Sequence, residues 1–351
     1  MILGKLSTML NYALEELDIA IVRPSKLAST WWMYDDRSTN SVKCALPSGA
    51  AEYLRHDNPR LLEYKRRYLG HPATRHSAWN ETSIRAGIDL SYFRDDNMYI
   101  WQTRGLGLHP SLPFAVTTDY IQQSDSLDLF RRLREDGLFG AITFPNVLAP
   151  HLGCVISRDL LDSILEINFL ERHLHLSDQR PITILDIGAG YGRLAHRLVG
   201  AFPNVNVLCT DAVAESTFLC EYYLKYRGVE SRARAIHLDM IEATLAQHPV
   251  QLVTNIQSFP ECPIESIRWW LGLIGRHQIP YFMLAVQNQA NGESRLLSRE
   301  PDDTRVDFLP IIEDQGFELM TSTSIYKPNT LAATYGFGPD RSYYLFRRRS
   351  A

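Results

Sequence analysis

Along the second half of the chain, apolar positions switch between a helical spacing and unbroken runs. "SRDLLDSILEINFLERHLHL" repeats its apolar residues every three or four positions, as an amphipathic helix does, and Pro181 breaks that pattern just before "ITILDIG" reads as a buried strand. The rhythm continues with a helix over 189–201, a strand in "NVNVLCTD", a helix over 214–227, a strand in "RAIHLD", a short helix near 241–247 and a strand in "QLVTNIQ". A helix over 263–277, a strand in "YFMLAVQN", a helix over 304–315 and two closing strands, "FELMTSTSIYK" and "SYYLFRR", complete the series. Such alternation predicts an α/β fold with a mostly parallel sheet covered on both faces. The last two strands have no helix between them and predict an antiparallel pair.

Residues 1–157 lack this alternation. Helices are expected at 3–20, at 50–69 and at 124–136, the last opening on Ser124 or Ser126 and closing at Gly137. Between them stand aromatic and histidine-rich stretches punctuated by Pro and Gly, among them "TWWMYDD" and "GHPATRHSAWN". The division expected is therefore a mainly helical or irregular region over 1–157, acting as lid or acceptor side, and an α/β domain over 158–351.

Charge narrows the partners. With 36 basic and 40 acidic residues the net charge is −4, which gives no global field for nucleic acid or an anionic membrane. The basic runs at 65–67, 131–132 and 347–349 are short and read as solvated faces. The five cysteines are odd in number and form no C-x-x-C, which argues for a reducing compartment and against zinc. No apolar run reaches the length of a membrane span, and the N-terminal apolar spacing is that of a helix face rather than a secretion signal. A cytoplasmic protein is expected.

The candidate chemistry lies in "ILDIGAGYGRLAHRL". Glycines at 188, 190 and 192 leave bare backbone between a strand and a helix, where open α/β sheets bind their ligands. A dinucleotide site would space its glycines G-x-G-x-x-G, but the third position here is Arg193. The spacing is D-x-G-x-G-x-G, with Asp186 at the strand end. A carboxylate there disfavours a pyrophosphate and suits a ligand carrying a cationic amino group, S-adenosylmethionine. Asp211 closes the next strand, where it can accept both ribose hydroxyls, and Asp239 closes the third, beside Met240, facing the adenine. The competing reading of each acid is a helix cap.

"ILDIGAGYG", "CTD", "HLDM" and "VTNIQSFPEC", in that order, resemble the class I S-adenosylmethionine-dependent methyltransferases over roughly residues 180–350. Across nearly the whole chain, "YKRRYLGHPATRHSAW", "LREDGLFGAITF", "CTDAVAESTFLCEYYLKYRGV" and "NIQSFPECPIESIRWWL" look like the sugar O-methyltransferase family. The resemblance implies a Rossmann-like seven-stranded sheet of order 3-2-1-4-5-7-6. It also implies that Asp186, Gly188, Ala189, Gly190 and Gly192 cradle the methionine part, that Asp211, Asp239 and Met240 hold the nucleoside, and that Asn255 lies near the methyl group. The acceptor it implies is a sugar-containing small molecule; self-association stays open.

Methyl transfer to a hydroxyl needs a base within hydrogen-bond reach. Glu261, in the loop after the fourth strand, is the first candidate; its competing reading is a helix-capping glutamate. His109 and His151, in Gly/Pro-rich loops, are the others, although most of the 11 histidines are expected to be structural. Asp pairs at 35, 95 and 302 could hold magnesium but read as turns, so no metal is expected. Trp31, Trp32, Trp79, Tyr99 and Trp101 could form an acceptor platform or simply core. Three other readings stand beside this one: a phenol or carboxyl acceptor, a non-catalytic subunit of the same fold, and an NAD-dependent oxidoreductase, which Arg193 disfavours.

Overall fold

The computed structural model describes residues 46–75, 79–102, 111–145, 155–178, 180–287, 296–326, 331–338 and 340–349. In chain order these form α1 (Ala50–Tyr53), α2 (Pro59–Tyr68), α3 (Glu81–Gly87), α4 (Ser111–Ser124) and α5 (Leu129–Arg132), then a small hairpin of β1 (Phe144–Pro145) and β2 (Val155–Ile156). The α/β part follows as α6 (Arg158–Leu174), β3 (Ile182–Ile187), α7 (Arg193–Ala201), β4 (Val205–Thr210), α8 (Ala214–Tyr226), β5 (Ala233–Ala235) and α9 (Ile241–Gln247). It closes with β6 (Leu252–Ile256), α10 (Ile264–Arg276), β7 (Tyr281–Gln287), α11 (Leu309–Asp314), β8 (Phe317–Ser324), α12 (Leu331–Tyr335) and β9 (Arg341–Arg348).

The seven-stranded sheet has the order β5-β4-β3-β6-β7-β9-β8, which is 3-2-1-4-5-7-6 counted from β3. β9 runs antiparallel to both β7 and β8, and the other pairs are parallel. The central strands bury unbroken apolar runs, including Ile184, Leu185, Leu252, Val253 and Phe282 to Leu284, because helices cover both faces. Their carboxyl ends open toward the segment that precedes α6.

Three expectations shift. The helix expected over 50–69 is two helices: Asn58 caps Arg60 N, and Pro59 takes the first helical position, where its missing N–H costs nothing. Of the helix expected over 124–136 only the short α5 forms, and α4, just before it, was not expected. "RAIHLD" stops being a strand at Ala235, and Asp239 falls in a one-turn 3-10 segment, Leu238–Met240.

α6 is buried nearly all round over residues 159–170, although that stretch includes Asp159, Asp162 and Glu166. Each acid receives an arginine from a different part of the chain. Arg94 Nε meets Asp159 at 2.8 Å, Arg341 of β9 meets Asp162 at 2.8 Å, and Arg193 of α7 grips Glu166 through two bonds of 2.9 Å. Arg94 also reaches Glu135, which takes Arg197 as well, at 2.7 and 2.8 Å. Burial alone would raise the Glu135 carboxyl, but the two arginines outweigh it and hold it well below the usual range. Through these pairs, residues before 158 are docked on the sheet, and α2 packs along α8.

Candidate active site

β3 ends at Ile187, and the chain turns through Gly188, Ala189 and Gly190 before α7. The N–H groups of Gly188 and Ala189 donate to the Thr210 carbonyl, at 2.9 and 3.2 Å, so two strand ends hold the turn. Gly188 has φ +69°, and a Cβ there would stand 2.3 Å from Ser258 Oγ. Gly192 differs from the expectation. Its Cβ would meet Cys220 and Leu224 of α8, so that glycine serves helix packing and does not line the ligand space.

Above the turn lies a cavity of about 440 Å³, within the roughly 300–1,000 Å³ of small-molecule sites. Asp186, Gly188, Ala189, Gly190 and Asp211 line it from the sheet, and Ile256, Gln257, Ser258 and Glu261 from the end of β6 and the loop after it. The segment before α6 supplies the facing wall with Lys65 and Tyr68 of α2, Trp79 and Tyr99. The Trp79 and Tyr99 rings lie 5.0 Å apart, and Tyr99 Oη is 3.0 Å from Ser216 Oγ.

Three of the cavity's carboxyls, Asp186, Asp211 and Glu261, are held by neutral donors. Thr254, in register with Asp186 on the neighbouring strand, donates its hydroxyl to Asp186 Oδ1 at 2.7 Å. The N–H groups of Gly190 and Val213 donate to the two oxygens of Asp211, at 3.0 and 2.8 Å. Burial pushes both aspartates up to about 7, because neutral donors compensate a desolvated charge only in part. Glu261 ends the 3-10 turn Phe259–Glu261 and accepts the Trp79 indole N–H. Burial raises its carboxyl too, and Trp79 and Arg299 pull it partly back. A carboxyl poised above its ordinary range is a better proton acceptor near neutral pH.

Other expected residues lie elsewhere. Asn255 does not border the cavity: its Nδ2 donates to the Ile187 carbonyl at 2.9 Å, and its Oδ1 accepts Phe259 N at 3.0 Å. Its amide ties the end of β3 to the turn after β6. Asp239 and Met240 are also off the cavity wall. Arg67 of α2 takes both Asp239 oxygens at 2.9 Å, and Met240 is 47 % exposed. The basic run at 65–67 is thus no plain solvated face. Trp101 is exposed, and Asp96 and Asp302 cap local turns. His109, His151, Trp31, Trp32 and the Asp pair at 35 lie outside the described residues. Among the described residues, no three Asp, Glu, His or Cys gather as a metal site, and no helix is long and apolar enough to cross a membrane.

Lys65, expected on a solvated face, lines the cavity, as do Glu215, Gln257 and Ser258, to which the sequence assigned no role. Gln257 has φ +63°, rare for a residue with a side chain, and its Nε2 is buried at the cavity's edge with no partner among the described residues. A glutamine just past a strand end carries no local signal of that conformation.

No protein-family model matches the chain, and no curated protein does. Among solved structures, the chain is similar to the [4+2]-cyclase SpnF at 14 % identity and TM-score 0.39, covering 56 % of this chain and 83 % of that one. It is similar to the glycopeptide N-methyltransferase MtfA complexed with S-adenosyl-L-homocysteine at 15 % identity and TM-score 0.39, over 53 % and 89 %. A third likeness is to magnesium protoporphyrin IX methyltransferase from Synechocystis PCC 6803 with bound SAH, at 14 % identity and TM-score 0.39, over 67 % and 98 %. At that distance the likeness does not extend to reaction or substrate.

Proposed function

We propose that this chain is an S-adenosylmethionine-dependent O-methyltransferase acting on a hydroxyl of a sugar or a glycosylated small molecule. The observation that carries the reading is the cavity at the carboxyl ends of β3 and β4, walled by bare glycine backbone and by Asp211 on one side and by Glu261 on the other. The residues fit the cofactor. Gly188 and Gly190 line the cavity, Asp211 is fixed by Gly190 and Val213 to receive a ribose diol, and Asp186 suits an amino group. The cofactor, when bound, supplies an electrophilic methyl group.

What the chain adds is alignment and proton transfer. Trp79 and Tyr99 present aromatic faces on which a sugar ring packs, fixing the acceptor for in-line attack. Glu261 receives the acceptor's hydroxyl proton, with Trp79 orienting the carboxyl. Calorimetric titration with S-adenosylhomocysteine tests the cofactor, with NADH as the control ligand. Wild type should bind in the micromolar range, and Asp211→Ala should weaken binding by about tenfold or more, the scale of hydrogen bonds to a charged group. A folded wild type that ignores the nucleoside, or prefers NADH, ends this reading. The acceptor is then sought by transfer of labelled methyl to a panel of sugars and glycosides, with phenols and carboxylic acids alongside.

A further inference from the structure

The charge around the cavity is one-sided. Its walls carry Glu81, Asp186, Asp211, Glu215 and Glu261 against two cations, Lys65 and Arg193. Both cations are spoken for: Lys65 Nζ lies 2.7 Å from Glu215 and 3.4 Å from Glu81, and Arg193 is bound bidentately to Glu166 behind the wall. Among the described residues, none of Asp186, Asp211 and Glu261 has a cation within ion-pair distance. Their partners are the Thr254 hydroxyl, two backbone N–H groups and the Trp79 indole. Buried carboxylates with only neutral donors favour an entering cation, since each is under-compensated in a medium of low dielectric. Among the described residues the Gln257 side-chain Nε2, at the same wall, also lacks a partner.

Asp186 and Asp211 are turned to local work, one bonded to Thr254 and the other to the glycine turn. Glu261 lines the cavity from the loop after β6 and, like Asp186, accepts one hydrogen bond, here from the Trp79 indole. Resting on the function proposed above, we infer that this cavity reads the formal charge on the cofactor's sulfur through Glu261, holding the sulfonium more tightly than the thioether left after transfer. In the transfer, the acceptor oxygen forms its bond to the methyl carbon as the carbon–sulfur bond breaks, and sulfur keeps the bonding pair and loses its positive charge. The acceptor's proton passes to the Glu261 carboxylate. One step therefore removes both members of an ion pair, and the spent cofactor is left with only the contacts to its amino and nucleoside parts. Product release is built into the charge balance of the reaction.

Calorimetry with S-adenosylmethionine, with S-adenosylhomocysteine and with the analogue bearing an amine in place of the sulfonium separates the outcomes. Wild type should bind both cationic ligands about tenfold or more tightly than the thioether, a difference of about 1.4 kcal/mol. Glu261→Gln should bring the three affinities together without weakening the thioether, and Glu261→Asp should restore part of the preference. Equal or tighter binding of the thioether by wild type overturns the inference while leaving the cofactor reading intact, as does a Glu261→Gln protein that keeps the preference. No binding of any of the three overturns both. Should Glu261→Gln fail to fold, wild type alone decides: titrations in buffers of different ionisation enthalpy should show more protons released on binding the sulfonium than the thioether, and equal release overturns the inference.

Discussion

At Gly188 two demands coincide, a left-handed φ and a neighbour's hydroxyl where a side chain would begin. Gly188→Ala should cost about 2–4 kcal/mol of stability, measured by urea unfolding, from strained backbone plus a clash. Adding Ser258→Gly should return the clash part and leave about 1 kcal/mol of backbone strain. An alanine variant as stable as wild type would contradict this geometry. Residues such as these were legible because D-x-G-x-G-x-G is local: one turn contains the whole signal. Asn255 and Asp239 were not, since their partners, the Ile187 carbonyl and Arg67, come from 68 and 172 positions away. No spacing rule says which of several polar groups near a strand end will be taken by the fold.

Among the elements, strands buried on both faces announced themselves as apolar runs, whereas their order was implied only by the family resemblance of the motifs. α4 was missed because "SLPFAVTTDYIQQS" buries Thr117 and Thr118 along with Phe114 and Ile121, which blurs its apolar stripe. The stripe of acids on α6 was equally silent, because its arginines are distant in sequence. Its energetic consequence is sharp. Arg94→Met leaves Asp159 without its arginine and removes one of the two held by Glu135, which should cost about 3–5 kcal/mol in denaturant midpoint analysis, as broken buried pairs do. Arg85→Met, which loses only the exposed pair with Glu81, should cost about 1 kcal/mol or less.

For the whole molecule, the opposed shifts set a pH profile. Asp186 and Asp211 titrate near 7 when folded but near 3.8 when unfolded, so the unfolded chain gives up its protons first as pH rises. Their contribution therefore declines between those two values and is constant above. Asp162 behaves oppositely. Burial is outweighed by Arg341 and Arg158, its carboxyl sits at about 2, and its stabilisation is lost as pH falls through that value. The thermal midpoint without added ligand should then peak at about pH 4 and drop by several degrees by about pH 7. Asp211→Asn should flatten the descent, and a profile that rises from pH 5 to 8 would contradict the burial of both groups.

The position of β9 between β7 and β8 bears on how the protein is made. β8 emerges from the ribosome before the one strand with which it pairs, and Asp162 on α6 waits for Arg341, 179 positions later. Until residues 341–348 appear, β7 has an open edge and β8 has nowhere to dock, so this sheet is completed from the inside by its latest arrival.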